Sequence, residues 1–133
     1  MSDVTLTSTL NSWQQRALAL LRIVAGVLFL EHGTMKLFNF PAGEGGAVKL
    51  SSFMGLTGAL EVAGGILIVL GLFTRPTAFI LSGMMAVAYW MAHAPRSMFP
   101  AINQGDAAIL YCFLFLYLVF AGPGAWSLDG KPK

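Results

Sequence analysis

Charged residues and cysteine are both scarce in this chain of 133 residues. Only 11% of the residues are charged, the net charge is +2, and no run of basic residues occurs. This excludes nucleic-acid binding as a function class. The single cysteine, Cys112, has no disulfide partner and belongs to no Cys-x-x-Cys motif. Any redox function therefore has to take its electrons from a bound cofactor or a partner protein.

Apolar residues are abundant instead. Hydrophobic residues make up 56% of the chain, and the mean hydropathy is +0.72. A soluble domain of this size would have to expose many of these side chains to water, because small domains have a high ratio of surface to volume. A lipid bilayer solvates such a surface directly. The composition therefore predicts an integral membrane protein.

Four apolar runs, separated by turn-rich segments, approach the length of about 20 residues that a membrane-spanning helix needs. They cover residues 16–38, 53–73, 76–94 and 105–121. Residues 1–15 are polar enough to lie at the interface, and Ser12 with Gln15 has the spacing of a capping box that would start the first span. Residues 122–133 form a tail. The chain is thus predicted to be one all-α membrane domain, an antiparallel four-helix bundle with up-down-up-down topology.

The orientation of this bundle depends on few charges. With four spans, both termini and the second loop share one side. That side carries Arg16, Arg75, Lys131 and Lys133, against Lys36, Lys49 and Arg96 on the other. An excess of Lys and Arg marks the cytoplasmic side, so both termini are predicted to be cytoplasmic.

Ionisable residues inside a span are energetically unfavourable and need a partner, a water-filled cavity or a route to the interface. Antiparallel folding brings most of those in this chain to one level, toward the non-cytoplasmic side. This group consists of His32, Lys36, Glu61 and His93, followed in the next loop by Arg96, Asn103 and Asp106. The sequence therefore predicts a polar cluster near one end of the bundle.

Helical phase, at about 100° per residue, predicts which side chains face the interior. The first helix places Arg22 on the same stripe as His32 and Lys36, with Glu31 on the opposite side, toward the lipid interface or a partner. In the later helices three further groups are expected to face inward: Glu61 with Gly58, Gly64 and Gly65; Tyr89 and Trp90 with His93; and Asp106 with Leu110, Phe113 and Tyr117.

An acid, two histidines and cations beneath aromatic walls suit a quinone head group. Quinone oxygens accept hydrogen bonds, and His or Glu can move protons. We assign hydrogen bonding or proton transfer to His32 and His93, proton exchange or orientation to Glu61, and anion attraction to Lys36 and Arg22. A metal site competes with this interpretation but is weaker, because no His-x-x-His or Glu-x-x-His pair fixes two ligands on one helix. No metal is therefore predicted.

The same residues carry a family resemblance. Residues 22–38, RIVAGVLFLEHGTMKLF, resemble the R-x-x-x-G-x-x-F-x-x-H-G-x-x-K-L-F signature of the DoxX family of bacterial inner-membrane proteins. Residues 58–65 and 71–75 are similar to its G-x-x-E-x-x-G-G and G-L-x-T-R elements. Residues 103–106 and 122–129 are similar to its N-x-G-[DE] and G-P-G-x-x-S-L-D elements. The resemblance covers nearly the whole chain.

The resemblance implies a bacterial inner-membrane location and a role as a membrane subunit of a quinone-linked oxidoreductase, related to thiosulfate or redox stress. It adds Arg75 and Asn103, with Asp106 beside them, as candidate ligand-binding positions. A redox partner protein and a second copy of the chain are the expected partners. The alternative is a non-enzymatic scaffold or small-solute carrier, in which the polar cluster holds the bundle together or forms a translocation site.

Overall fold

A computed structural model describes residues 2–130, in which every regular element is a helix and no strand occurs. The α-helices are α1 (Ser2–Phe38), α2 (Phe53–Leu70), α3 (Thr74–Ala88), the short α4 (Pro100–Asn103) and α5 (Asp106–Ala121). A π-helical turn at Tyr89–His93 and a 3₁₀ turn at Ala94–Arg96 extend α3. Lys131 and Lys133, used above for the orientation, lie outside the described residues.

Three helical stretches within residues 2–130 are long and apolar enough to cross a membrane. They are Asp3–Phe38, Phe53–Leu70 and Thr74–Arg96. The fourth predicted span corresponds to α5, which is apolar but only 16 residues long. At 1.5 Å per residue α5 measures about 24 Å, less than the hydrocarbon thickness of about 30 Å. The all-helical membrane character is thus confirmed, whereas the four-span antiparallel topology stays a prediction.

The helices pack in two main pairs, α1 with α2 and α3 with α5, joined by a smaller α2–α3 contact. Glycine lets the first pair approach closely. A Cβ atom added at Gly33 would lie 2.7 Å from the backbone nitrogen of Val62, and one at Gly65 would lie 2.9 Å from the Cα of Leu30. Small residues of this kind permit close contact between helix backbones in membranes. The shared core consists of Leu18, Phe29, Ile68, Ala78, Leu81, Met85, Phe115 and Leu118.

The start of the first helix differs from the prediction. No helix begins at the proposed capping box, because α1 already runs through it from Ser2. The Ser12 hydroxyl donates back to the Thr9 carbonyl at 2.6 Å, a bond within a continuous helix. Capping-box residues occur inside helices too, and only the backbone distinguishes the two cases. Residues 2–15 thus prolong the helix of the first span.

The predicted inward face of α5 and the inward placement of Trp90 are also wrong. On α5, Leu110, Phe113 and Tyr117 are exposed, and the buried residues are Ala108, Phe115 and Leu118. Because α5 is apolar on all sides, its hydropathy pattern does not indicate which face is buried. The position of the acidic residue at its start did not predict that face either. Trp90 is 70% exposed. It lies in the π-helical turn, where hydrogen bonds run from i to i+5 and the 100° spacing no longer applies.

Candidate functional site

An ion pair joins the last turn of α1 to the middle of α2. The ammonium of Lys36 donates to Oε1 of Glu61 at 2.7 Å. Glu61 is only 4% exposed, and its second carboxylate oxygen, Oε2, is buried without a hydrogen-bond partner within residues 2–130. A buried acceptor left unpaired is unfavourable, so this pair retains capacity for a further hydrogen bond.

A cavity of about 390 Å³ opens beside this pair. Four of the predicted cluster residues, His32, Lys36, Glu61 and His93, line it together. Most of the remaining wall is apolar and comes from α1, α2, α3 and α5. It consists of Phe29, Phe53, Met54, Met84, Met85, Val87, Ala88, Met91, Ala92, Ala107, Ala108 and Tyr111, with Thr57 and Gln104 as further polar members. The structure therefore brings the two histidines and the acid, which come from three different helical segments, to one site.

His93 is held in place by the short helix α4. Its Nδ1 lies 3.0 Å from the backbone carbonyl oxygen of Asn103. Asn103 is fully buried, and its side chain donates to the Tyr89 hydroxyl and the Ser97 carbonyl and accepts from the Gly105 amide. Asn103 does not line the cavity. It therefore orients His93 rather than contacting a ligand there.

Arg22 also differs from its predicted role. It lies ten positions before His32 on α1, about 15 Å along the helix axis. Its guanidinium donates to the backbone carbonyls of Pro123, Ala125 at 3.0 Å and Trp126 at 2.8 Å. All three belong to the C-terminal tail. Arg22 faces inward, as predicted from its helical phase, but it binds the tail instead of lining the cavity.

Two further candidates lie outside the cavity as well. Arg75, at the start of α3, donates to the carbonyls of Val119 and Phe120, both at 2.7 Å, and so satisfies carbonyls in the last turn of α5. Asp106 is exposed in the first turn of α5 and does not line the cavity. Acidic residues favour this position because of the helix dipole.

Four methionines in the cavity wall were not anticipated from the sequence. Met54, Met84, Met85 and Met91 line it together with Tyr111. Methionine is flexible and polarisable, and it adapts its shape to aromatic rings. The adjacent pair at 84 and 85, close before His93 on the same helix, was an available signal. In the described part of the chain, no group of three or more His, Cys, Asp or Glu side chains is arranged to hold a metal ion.

Comparison with known proteins gives the family. The DoxX family model matches residues 17–94. The chain belongs to the DoxX family. An uncharacterized protein of Haemophilus influenzae is 45% identical over 130 residues, covering 93% of this chain and 96% of its own length.

More distant relatives are membrane proteins by name. An uncharacterized membrane protein of Mycobacterium tuberculosis is 32% identical, covering 84% of this chain and 78% of its own length. The inner membrane protein YqjF of Escherichia coli is 28% identical, covering 81% of this chain and 85% of its own length. No solved structure matches the chain. These comparisons assign this DoxX protein to the membrane.

Proposed function

We propose that this DoxX protein binds a quinone head group in the cavity and acts as the membrane subunit of a quinone-linked oxidoreductase. The observation that carries the proposal is one cavity that combines the Lys36–Glu61 ion pair and two histidines with an apolar wall. Ligand pockets are mostly apolar with a few placed polar groups, and they measure about 300–1,000 Å³. The cavity matches this description in size and composition.

The residues present suit such a ligand. The Lys36 ammonium has three N–H groups, and within residues 2–130 its one hydrogen bond goes to Glu61, so the other two can donate to a ring oxygen. Phe29, Tyr111 and the methionines provide a surface for a flat ring. A bound quinone would supply two-electron chemistry coupled to protons. His32 and His93 would hold or pass those protons, while Glu61 orients the ammonium.

The electron donor has to come from outside the chain, because one cysteine cannot form a redox-active dithiol. A partner protein or a small reducing anion such as thiosulfate fits this requirement. We place the protein in the bacterial inner membrane, in line with the name of its E. coli relative. We propose four antiparallel spans with both termini in the cytoplasm, so that the cavity opens toward the opposite side. A second copy of the chain is a further candidate partner.

The alternative is a scaffold or small-solute carrier. One observation favours the scaffold: the Lys36–Glu61 bond ties α1 to α2, and a tie of this kind stabilises a bundle even if nothing binds. A scaffold would lose thermal stability in the Glu61→Gln variant and would have no ligand affinity to lose. A carrier would instead show flux of a solute into liposomes.

The test is quinone binding to the purified protein, combined with quinone reduction in membranes. We expect His32→Ala to weaken quinone binding about tenfold because a hydrogen-bond donor of the site is lost, and Glu61→Gln to weaken it to a similar extent because the neutral amide holds the Lys36 ammonium less firmly. Glu31→Gln is the matched control, because Glu31 is exposed on α1 and does not line the cavity. Wild-type protein that neither binds quinone nor alters its reduction would end the proposal.

A further inference from the structure

The hydrogen bond at His93 fixes which ring nitrogen carries the proton. A backbone carbonyl only accepts hydrogen bonds, so Nδ1, 3.0 Å from the Asn103 carbonyl oxygen, has to be the donor. In a neutral imidazole the other nitrogen, Nε2, is then an acceptor with a free lone pair. Within residues 2–130 no hydrogen bond engages Nε2, and His93 lines the cavity. The histidine therefore offers the cavity an acceptor.

The orientation of this ring is held from two sides. The Tyr89 ring lies nearly parallel to it, at 22° and a centroid distance of 6.3 Å. The Tyr89 hydroxyl in turn accepts from the buried Asn103 amide. Outer partners of this kind fix the tautomer and direction of a functional histidine. The lone pair of Nε2 is thus a fixed feature of the site.

Glu61 supplies a second acceptor. Its Oε1 receives the Lys36 hydrogen bond, but Oε2 is buried without a partner within the described residues. An ionised carboxylate has no hydrogen to donate. The wall holds further groups that can donate, His32, Gln104 and Tyr111, besides the Lys36 ammonium. The two acceptors described here, by contrast, lack a hydrogen. A ligand that carries only acceptor oxygens would leave both of them unpaired.

We infer that the cavity prefers the reduced, hydroxyl-bearing form of its ring ligand, a quinol or a related phenol, over the oxidised quinone. This inference rests on the proposed function and adds which redox form is bound. A quinone presents only acceptor oxygens, which pair with donors such as Lys36 but leave Nε2 of His93 and Oε2 of Glu61 without a hydrogen. A ring hydroxyl donates to Nε2 of His93 or to the Glu61 carboxylate, and its oxygen still accepts from Lys36. Its hydrogen-bonding groups therefore complement those of the cavity.

The experiment titrates the purified full-length protein anaerobically with a short-chain benzoquinone and with its hydroquinone, using calorimetry. We expect the hydroquinone to bind at least about tenfold more tightly, because unpaired buried acceptors are unfavourable. A second pair, an alkylphenol and its methyl ether, tests the same point without redox chemistry. The ether keeps the ring and the oxygen but lacks the hydrogen, so it should bind about as weakly as the quinone. Comparing the phenol with the hydroquinone also distinguishes a simple phenol from a quinol as the ligand class.

His93→Phe keeps a ring beside Tyr89 and removes Nε2. In this variant the affinity for hydroquinone should approach that for benzoquinone, and the affinity for the alkylphenol should approach that for its methyl ether. Glu31→Gln, outside the cavity, should leave both ratios unchanged. Equal binding of the two forms by wild-type protein, or tighter binding of the quinone, would overturn this inference and leave the proposed function standing. Failure of every ring compound to bind would remove the proposed function as well. The comparison of phenol and ether in wild-type protein decides the matter even if His93→Phe does not fold.

Discussion

The two ends of the bundle use their polar side chains in opposite ways. At the tail end, Arg22 and Arg75 donate to backbone carbonyls, and Asp129 accepts the amides of Phe73 and Thr74 at 2.8 and 2.9 Å. Nε of Arg22 and Oγ1 of Thr74 are also buried there without a hydrogen-bond partner within the described residues, but neither residue lines the cavity. At the cavity end, Glu61 and His93 each keep an atom without a partner within the described residues, and both residues line the cavity.

This difference separates structural from ligand-binding roles among residues that look alike in the sequence. Side chains whose hydrogen bonds go to the backbone hold elements in place, as Arg22 holds the C-terminal tail. Side chains that line a cavity and have hydrogen-bonding capacity left are those available to a ligand. The comparison predicts that changes at the tail end affect stability alone, whereas changes at the cavity end affect binding.

The largest effect is expected for Arg22→Leu. This change leaves the carbonyls of Pro123, Ala125 and Trp126 without their buried donor, which should destabilise the protein by about 3 kcal/mol or more. Thermal melting in detergent measures the loss, with Arg96→Leu as the control at an exposed arginine. Ligand affinity of the folded fraction should be unchanged. A tenfold loss of affinity without a loss of stability would mean that Arg22 belongs functionally to the cavity.

An intermediate effect is expected for Gly33→Ala, which inserts a methyl group against the backbone of α2. Overpacking of this kind destabilises by about 1–3 kcal/mol. Because the change pushes α1 from α2 beside the Lys36–Glu61 pair, ligand affinity should fall together with the melting temperature. The control is Gly83→Ala on α3, where no atom lies within 4 Å of the added Cβ. An unaltered melting temperature for Gly33→Ala would show that the two helices have room to separate.

The smallest effect is expected at Asp129. Partial burial acts to raise its pKa, but hydrogen bonds from Thr74 and Phe73 and the charge of Arg22 outweigh burial, so the pKa lies below its ordinary value of 3.8. The stabilisation is therefore present above pH 3.8 and is lost as the pH falls through the lower folded value. Asp129→Asn should cost at most about 1 kcal/mol at neutral pH and reduce the acid sensitivity of melting.

Asp106→Asn is the matched control for this titration, because Asp106 is exposed at the start of another helix. Equal acid sensitivity in wild-type protein and Asp129→Asn would contradict the assigned role of Asp129.

Part of the site was predictable because ionisable residues are unfavourable inside a bilayer and are therefore rare in apolar segments. His32, Lys36, Glu61 and His93 stood out within apolar runs, and antiparallel helices have to bring their ends together. The methionine wall was missed because Met84 and Met85 look like ordinary core residues. The prediction of the buried face of α5 was wrong because Leu110 and Phe115 are both strongly apolar. Hydropathy cannot distinguish a side chain that faces lipid from one that packs against protein.

By itself, the sequence determined the membrane class, the helical segments and the level at which the polar residues gather, because hydropathy and charge along one chain decide these properties. Only the tertiary structure decided which polar groups are engaged by backbone and which face a cavity. Arg22 and Glu61 are both buried charges in apolar helices. Their partners come from distant segments, the tail for one and Lys36 for the other, and hydrogen bonds between distant segments exist only once the chain has packed.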